Sequence, residues 1–184
     1  SGWKIRYIEL VARSLNNILI AGNRLTEREL RRYCLWRDRE SIIQIYNGIK
    51  CNDGDMATPF LGDVVKLTMV ANFFPEKDHL TLIKAYERLK DSYPVHLQII
   101  AEGDNLYADR IKGYIEEKGL DVTIKSTRDV DTYTRKTDIL VLTSHTEGDP
   151  LVLKEAMAVG VPVIASDVGA VNEVVDNEVD GILV

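Results

Sequence analysis

Apolar residues run along most of this chain in two alternating rhythms. Near-continuous apolar runs at Val64–Ala71, Val95–Ala101, Val122–Lys125 and Ile139–Leu142 are separated by segments whose apolar residues recur every three or four positions. A short, largely apolar run fits a strand of a sheet covered on both faces, and the wider spacing fits a helix with one apolar side. The pattern predicts helices over His79–Lys90, with Leu82, Ile83, Tyr86 and Leu89 on one face, over Tyr107–Lys118, closed by Gly119, and over Val130–Lys136. After Ile139–Leu142 come a polar turn, a helical segment ending at Gly160, and the apolar run Val161–Ala165. A helix around Ala170–Val175 and a strand over Gly181–Val184 finish the chain. Strands alternating with amphipathic helices predict an α/β fold, a doubly wound, Rossmann-like parallel sheet with helices on both faces.

The first third reads differently. Ile5, Ile8, Leu10, Val11 and Leu15 suit a helix over 3–15, and Ile18–Ala21 and Ile42–Tyr46 suit short strands. Between those strands lies a helix for which Thr26 is the candidate N-cap, with Glu29 completing a capping box. Its Arg24, Arg28, Arg31, Arg32 and Arg37 alternate with Glu27 and Glu29. That mixture fits a solvated face, with a phospholipid or partner surface as the sharper reading. Asn47-Gly48 is a turn signal, and 51–63 is polar and broken by Gly and Pro, as in a linker. Two short strands and two helices are too little for a self-sufficient doubly wound domain. Residues 1–50 are therefore expected to be the tail of a preceding domain, and 64–184 the principal one.

Composition narrows the function classes. With 184 residues and 45% hydrophobic content, the chain can bury a sizeable core. A net charge of −6 argues against nonspecific nucleic-acid binding, which depends on many cation–phosphate contacts. No apolar run approaches the roughly 20 residues that span a membrane. Cys34 and Cys51 have no CxxC spacing and read as reduced structural cysteines, which fits a cytoplasmic protein. His79, His96 and His145 lack metal-ligand spacing, so no metal site is expected.

Candidate chemistry gathers where the strands end. In a parallel sheet the loops beyond the carboxyl ends form one rim, and ligands bind there. The rim here would carry Asn72 to His79, Glu102 to Asn105, Ser126-Thr127-Arg128, Ser144 to Pro150, and Ser166 to Gly169. Glu147 falls in a loop and Glu155 in the following helix. Asp149 is the expected N-cap and Pro150 the first helical residue, leaving the amides after Gly148 free to hold an anion.

The same stretch resembles the C-terminal donor-binding domain of family 4 retaining glycosyltransferases, which face two Rossmann-like domains in the GT-B architecture. Glu147 and Glu155 match the E-x7-E signature within EGDPLVLKEAMAVGVPVIAS. VGAVNEVVDNEVDGILV matches the glycine, glutamate and terminal G-x-L-V pattern, ANFFPEKDHLTLIKAYERL the strand–PEK–helix region, and NGIK the hinge after the first domain. The resemblance implies an NDP-sugar donor and a saccharide or lipid-linked acceptor. It implies a catalytic histidine and acceptor pocket in a first domain mostly absent here, and further helices beyond Val184. Peripheral attachment at the inner face of a membrane would run through that first domain.

The implied roles are specific. Lys77 binds the donor diphosphate and steadies the leaving group. Glu147 serves the donor sugar and Glu155 the ribose hydroxyls. Gly148, Asp149, Pro150 and Leu151 form the helix entrance facing sugar and phosphate. Glu102 and Gly103 pass the nucleotide, and Ser126 and Thr127 lie near the base. The chain departs from the family where an arginine is usual, at Asn72 or Phe74, and Arg128 is the candidate replacement. Ser126 stands where glycine is usual. A non-catalytic nucleotide-sugar-binding subunit and a non-hydrolysing sugar-nucleotide epimerase share the architecture and remain alternatives.

Overall fold

All six strands of the larger sheet run the same way, in the spatial order Val122–Lys125, Val95–Ile100, Val65–Val70, Ile139–Leu142, Val163–Ala165, Ile182–Leu183. The computed structural model describes residues 18–33, 41–50, 56–57 and 62–184. The expected helix over 3–15, both cysteines, Arg37 and most of the expected linker lie outside the described residues. The chain divides into two units, Ser1–Gly48 and Ile49–Val184. In the first, β1 (Leu19–Ala21) pairs in parallel with β2 (Ile42–Gln44), and α1 (Arg24–Tyr33) joins them. This helix starts before the expected Thr26 cap. Asn23 Oδ1 accepts from Thr26 N at 2.6 Å, so the earlier amide side chain takes the orphan donor and Thr26 becomes part of the first turn.

The second unit carries β3 (Val65–Val70), α2 (His79–Leu89), β4 (Val95–Ile100), α3 (Leu106–Glu117), β5 (Val122–Lys125), α4 (Val130–Thr134), β6 (Ile139–Leu142), α5 (Leu151–Ala158), β7 (Val163–Ala165) and β8 (Ile182–Leu183). The doubly wound parallel sheet expected from the pattern is present. The helix expected around Ala170–Val175 is a single 3₁₀ turn, Val171–Glu173. Leu89 is exposed, because α2 ends there and its buried face is already filled by Leu82, Ile83 and Tyr86.

Both faces of the sheet are covered by packed residues, which explains the largely apolar strands. One core layer packs Leu67, Met69, Leu97 and Ile99 against Ile83, Tyr86, Ala108 and Ile111. The other packs Leu140, Leu142 and Val163 against Leu153, Ala156 and Val171. β6 sits between them and sends Leu140 and Leu142 one way and Val141 the other, as the two-residue strand period requires. Polar groups link the strands to their neighbours: Thr137 Oγ1 lies in hydrogen-bond contact with Thr68 Oγ1 at 2.7 Å, and Asp138 Oδ2 accepts from Lys66 N at 2.7 Å.

Strand order creates the feature that matters for function. The chain moves outward from β3 through β4 to β5, then returns to start β6 on the other side of β3. The two halves of the sheet wind away from the β3–β6 boundary, the switch point at which open α/β sheets form their ligand crevice.

His79 secures one wall of that crevice. Its side chain is fully buried, with Nε2 at 3.1 Å from the Ala71 carbonyl oxygen. The ring lies 4.8 Å from Phe73 and meets Tyr107 edge-on at 5.8 Å. A carbonyl only accepts, so Nε2 carries the proton, and Nδ1 is left with no partner. Burial, the largest influence, lowers the imidazole pKa, because a cation there would lose its hydration. The folded state therefore favours neutral His79. Its contribution is complete above the ordinary value of about 6.5 and is lost as pH falls toward the lower folded value. A thermal unfolding series at descending pH should show wild-type chain losing stability below pH ~6.5, with a shallower loss in His79→Gln. Equal slopes would contradict this account.

Candidate functional site

Two loops meet at the crevice, and hydroxyl and amide bonds stitch them together. After β3 the chain makes a 3₁₀ turn over Pro75–Lys77, where proline supplies the preset φ of the first position. Asp78 follows in the left-handed region, φ 44°, which aspartate tolerates better than most residues. Its carboxylate caps α2, accepting from Thr81 N at 3.3 Å and Thr81 Oγ1 at 2.6 Å. After β6, Thr143 Oγ1 donates to the Asp78 carbonyl at 2.9 Å, and His145 N donates to the Glu76 carbonyl at 2.8 Å. The Pro75–Lys77 turn is thereby fastened to the loop that carries Glu147.

At the centre, Lys77 Nζ lies 2.6 Å from Glu147 Oε1. Lysine is half-buried, whereas Glu147 is only 8% exposed. Ser144 Oγ donates to the same Oε1 at 2.6 Å. The Glu147 carbonyl accepts from Ala170 N at 3.0 Å. Gly169, at φ 59°, presses against it so closely that a Cβ would sit 1.9 Å from that oxygen, which is why glycine occupies the position.

The helix entrance differs from the expectation at one residue. Pro150 is the N-cap of α5, and Asp149 lies before it. Asp149 does not cap because Lys154 Nζ holds its Oδ1 at 2.5 Å, a pair with little exposure on either side. Leu151 opens the helix with no side-chain cap; its amide donates to the Asp149 carbonyl at 2.9 Å and the Leu153 amide to the Pro150 carbonyl at 3.0 Å, so the entrance amides expected to be free are partly taken up by backbone.

Glu155 lies farther along α5 and opens into a separate cleft of about 400 Å³ lined by Lys50, Arg128, Asp129, Asp131, Thr134 and Arg135. Its carboxyl still reaches solvent, but burial against the cleft walls, and then the charge of Asp131, raise its pKa. Arg128 lines this cleft, and no hydrogen bond or ion pair among the described residues joins it to Lys77 or Glu147. Ser126 and Thr127 follow β5 on the rim, where Thr127 Oγ1 accepts from Asp129 N at 3.1 Å; neither lines the cleft. Asn72 Oδ1 accepts from Glu102 N at 3.1 Å, tying the ends of β3 and β4 together next to Gly103, whose φ is 106°. Phe74 stands 53% exposed on the same side.

The structure thus brings Lys77, Glu147 and the α5 entrance into one place, groups Asn72, Glu102 and Gly103 beside it, and puts Glu155 in the adjoining cleft. Ser144, Thr143 and Gly169 carry as much of the geometry as the acids do. Their signals, a Ser-Thr pair at a strand end and a glycine in a rim loop, are too common to stand out alone. Among the described residues no group of His, Cys, Asp and Glu has the arrangement of a metal site, and no helix is long and apolar enough to cross a membrane.

Comparison with known proteins gives this geometry a context. The chain is 28% identical over 165 residues to UDP-Gal:alpha-D-GlcNAc-diphosphoundecaprenol alpha-1,3-galactosyltransferase of Escherichia coli, across 82% of this chain and 43% of that enzyme. An uncharacterized glycosyltransferase of Haemophilus influenzae is 33% identical over 121 residues, across 62% of this chain and 33% of that protein. The chain therefore spans less than half the length of these relatives. Anabaena Alr3699/HepE, solved with UDP and glucose, matches with a TM-score of 0.86 at 20% identity, across 100% of this chain and 53% of that one. That likeness establishes the Rossmann-like fold of GT-B glycosyltransferases. A family model described as glycosyl transferases group 1 matches residues 57–184, and on that match the chain belongs to this family.

Proposed function

We propose that this chain is the donor-binding portion of a retaining glycosyltransferase of family 4, which moves a sugar from an NDP-sugar to a saccharide or lipid-linked acceptor. The observation that carries the reading is the Lys77–Glu147 contact at the β3–β6 crevice, one loop away from a helix entrance and one cleft away from Glu155. Cation, carboxylate and a helix N-terminus at one sheet boundary suit a ligand that is anionic in its middle and hydroxylated at both ends.

The roles follow from chemistry. Lys77 meets the diphosphate, since an ammonium on a flexible stem tracks phosphate oxygens and offsets charge growing on the leaving group. Gly148, Asp149 and Leu151 form the helix entrance that faces sugar and phosphate, with the positive end of the helix dipole toward the diphosphate, while Pro150 supplies shape and no N–H. Glu147 accepts sugar hydroxyls and steadies positive charge on the departing sugar. Glu155 accepts the two ribose hydroxyls, for which a carboxylate is the natural acceptor. Glu102 and Gly103 flank the nucleotide beside Asn72, and Ser126 and Thr127 stand near the base. Lys77 and the helix entrance replace the charge that a metal would contribute, so transfer proceeds without one. Residues 1–50 belong to the preceding domain and 64–184 to the donor domain, joined by 51–63 on the cytoplasmic side of any membrane that the acceptor occupies.

A second reading is a nucleotide-sugar-binding subunit without catalysis of its own. Asn72 and Phe74 favour it, because a tied amide and an exposed phenyl ring occupy the places where a second phosphate-binding cation would add most.

Calorimetric titration with UDP-, GDP- and ADP-sugars separates the roles. Glu155→Ala should weaken binding of the preferred donor about tenfold, the loss of one charge-assisted hydrogen-bond pair. Lys77→Ala should weaken nucleotide diphosphate and nucleotide sugar alike. Unchanged affinity in Glu155→Ala contradicts the ribose assignment. The raised Glu155 pKa adds a pH test. Its ionised form accepts the hydroxyls, so affinity for UDP-glucose should climb with pH through that titration and then level off. UDP-glucose has no phosphate ionisation in the same range to confuse the result. Glu155→Gln should be weaker and flat with pH, and a matching slope in both proteins would refute the link. Incubated with donor and candidate acceptors, the 184-residue chain alone should form no glycoside. Robust transfer by it would show that the cleft is already complete.

A further inference from the structure

Among the described residues, Glu147 is held by one carboxylate oxygen: Oε1 receives Ser144 Oγ and Lys77 Nζ, each at 2.6 Å, and Oε2 accepts no hydrogen bond. Behind the side chain, Ala170 N donates to the Glu147 carbonyl and the Gly169 backbone closes against it. Main chain and one edge of the carboxylate are thereby fixed, and the other edge is left unbonded by these residues.

The two donors on Oε1 differ in kind. Lys77 is 29% exposed and belongs to the crevice opening, and in the reading above it also faces the donor diphosphate. The diphosphate, with two negative charges in all, draws the ammonium toward itself, so its grip on Glu147 loosens when it is most needed. Ser144 is 1% exposed and sits two residues past the end of β6. Among the described residues its hydroxyl has no acceptor besides Glu147, and it is covered by protein, so an arriving ligand does not compete for it. A hydrogen bond to a charged acceptor in such a place is stronger than one in water. Thr143, its neighbour, fixes the other partner by bonding the Asp78 carbonyl beneath the Lys77 turn. Two consecutive hydroxyls at the end of β6 therefore hold the two members of the ion pair separately.

We propose that Ser144 is a positioning residue for Glu147: it retains Oε1 while Lys77 turns to the diphosphate, and so keeps Oε2 aimed at the donor sugar. The inference rests on the donor-site reading for its ligand but not for its geometry. A purely structural hydroxyl that holds the loop would move the α5 entrance as well when removed. A positioning hydroxyl changes only what Glu147 touches.

Two measurements on the 184-residue chain distinguish these cases. The first needs no ligand. In Lys77→Ala, where only Ser144 still holds the carboxylate, NMR scalar couplings of the Glu147 side chain should report a single rotamer. In Lys77→Ala with Ser144→Ala they should report averaging. Averaging already in Lys77→Ala, or a single rotamer in the double variant, overturns the proposal. The second is a titration with UDP and UDP-glucose as probes. Ser144→Ala should lower affinity for UDP-glucose about tenfold and leave UDP unchanged. It should have no further effect in a Glu147→Ala background, since the serine acts through that carboxylate. Equal losses for both ligands, no loss for either, or an additive effect in the double variant overturns it. If the wild-type chain binds neither probe, the donor reading fails, and the rotamer measurement still decides whether Ser144 positions Glu147.

Discussion

The contact between Lys77 and Glu147 depends on a boundary in the sheet more than on either side chain. The two residues are seventy positions apart in the chain, and they meet because β3 and β6 are hydrogen-bonded neighbours from which the connections wind in opposite directions. A crevice opens only where such winding reverses. Everything nearby serves to hold that crevice at one width. Proline and a left-handed aspartate shape the lysine turn, buried neutral His79 anchors the strand end beneath it, and threonine, serine and glycine hold the glutamate loop. A charged pair with so little exposure is costly to desolvate, and it persists where extra hydrogen bonds satisfy the carboxylate, as Ser144 does here.

The fold was legible where one physical cause dominated. Ile139–Leu142 coincides with its strand, because a strand covered on both faces needs a continuous apolar run and little else produces one of that length. Helix starts were less legible. Asn23 and Thr26 are both good caps, and the same pattern of polar and apolar residues fits either; local backbone geometry chose the first. Asp149 is another good cap in isolation, yet Lys154, one helical turn into α5, claims its carboxylate. Neither competition can be seen in a one-dimensional pattern. The helix expected near Ala170 shrank to a 3₁₀ turn because that segment must carry Gly169 and the Ala170 amide to the Glu147 carbonyl.

The candidate site shows the same division. Glu147, Glu155 and Lys77 could be named from motif spacing, but motif spacing contains no strand order. Assigning lysine to phosphate and glutamate to sugar treats them as separate contacts, whereas the folded chain joins them directly. That contact makes the two ends of the site interdependent: a ligand that draws on Lys77 alters what holds Glu147. Arg128, suggested as a replacement cation, lines the Glu155 cleft. Membership of the glycosyl transferases group 1 family is consistent with the sheet, the crevice and the acids together. The chain spans less than half of its curated relatives, so acceptor chemistry is a property to be sought in the whole protein.

The central claim is that the β3–β6 crevice is where a nucleotide sugar lies, and a crystal structure of the chain grown with UDP-glucose addresses it most directly. The account predicts diphosphate density beside Lys77 Nζ and the α5 entrance, glucose against Oε2 of Glu147, and ribose on Glu155 in the adjoining cleft. Nucleotide bound elsewhere, such as the outer groove between α2 and α3 lined by Lys84, Arg88 and Tyr114, with the Lys77–Glu147 contact undisturbed, would contradict it.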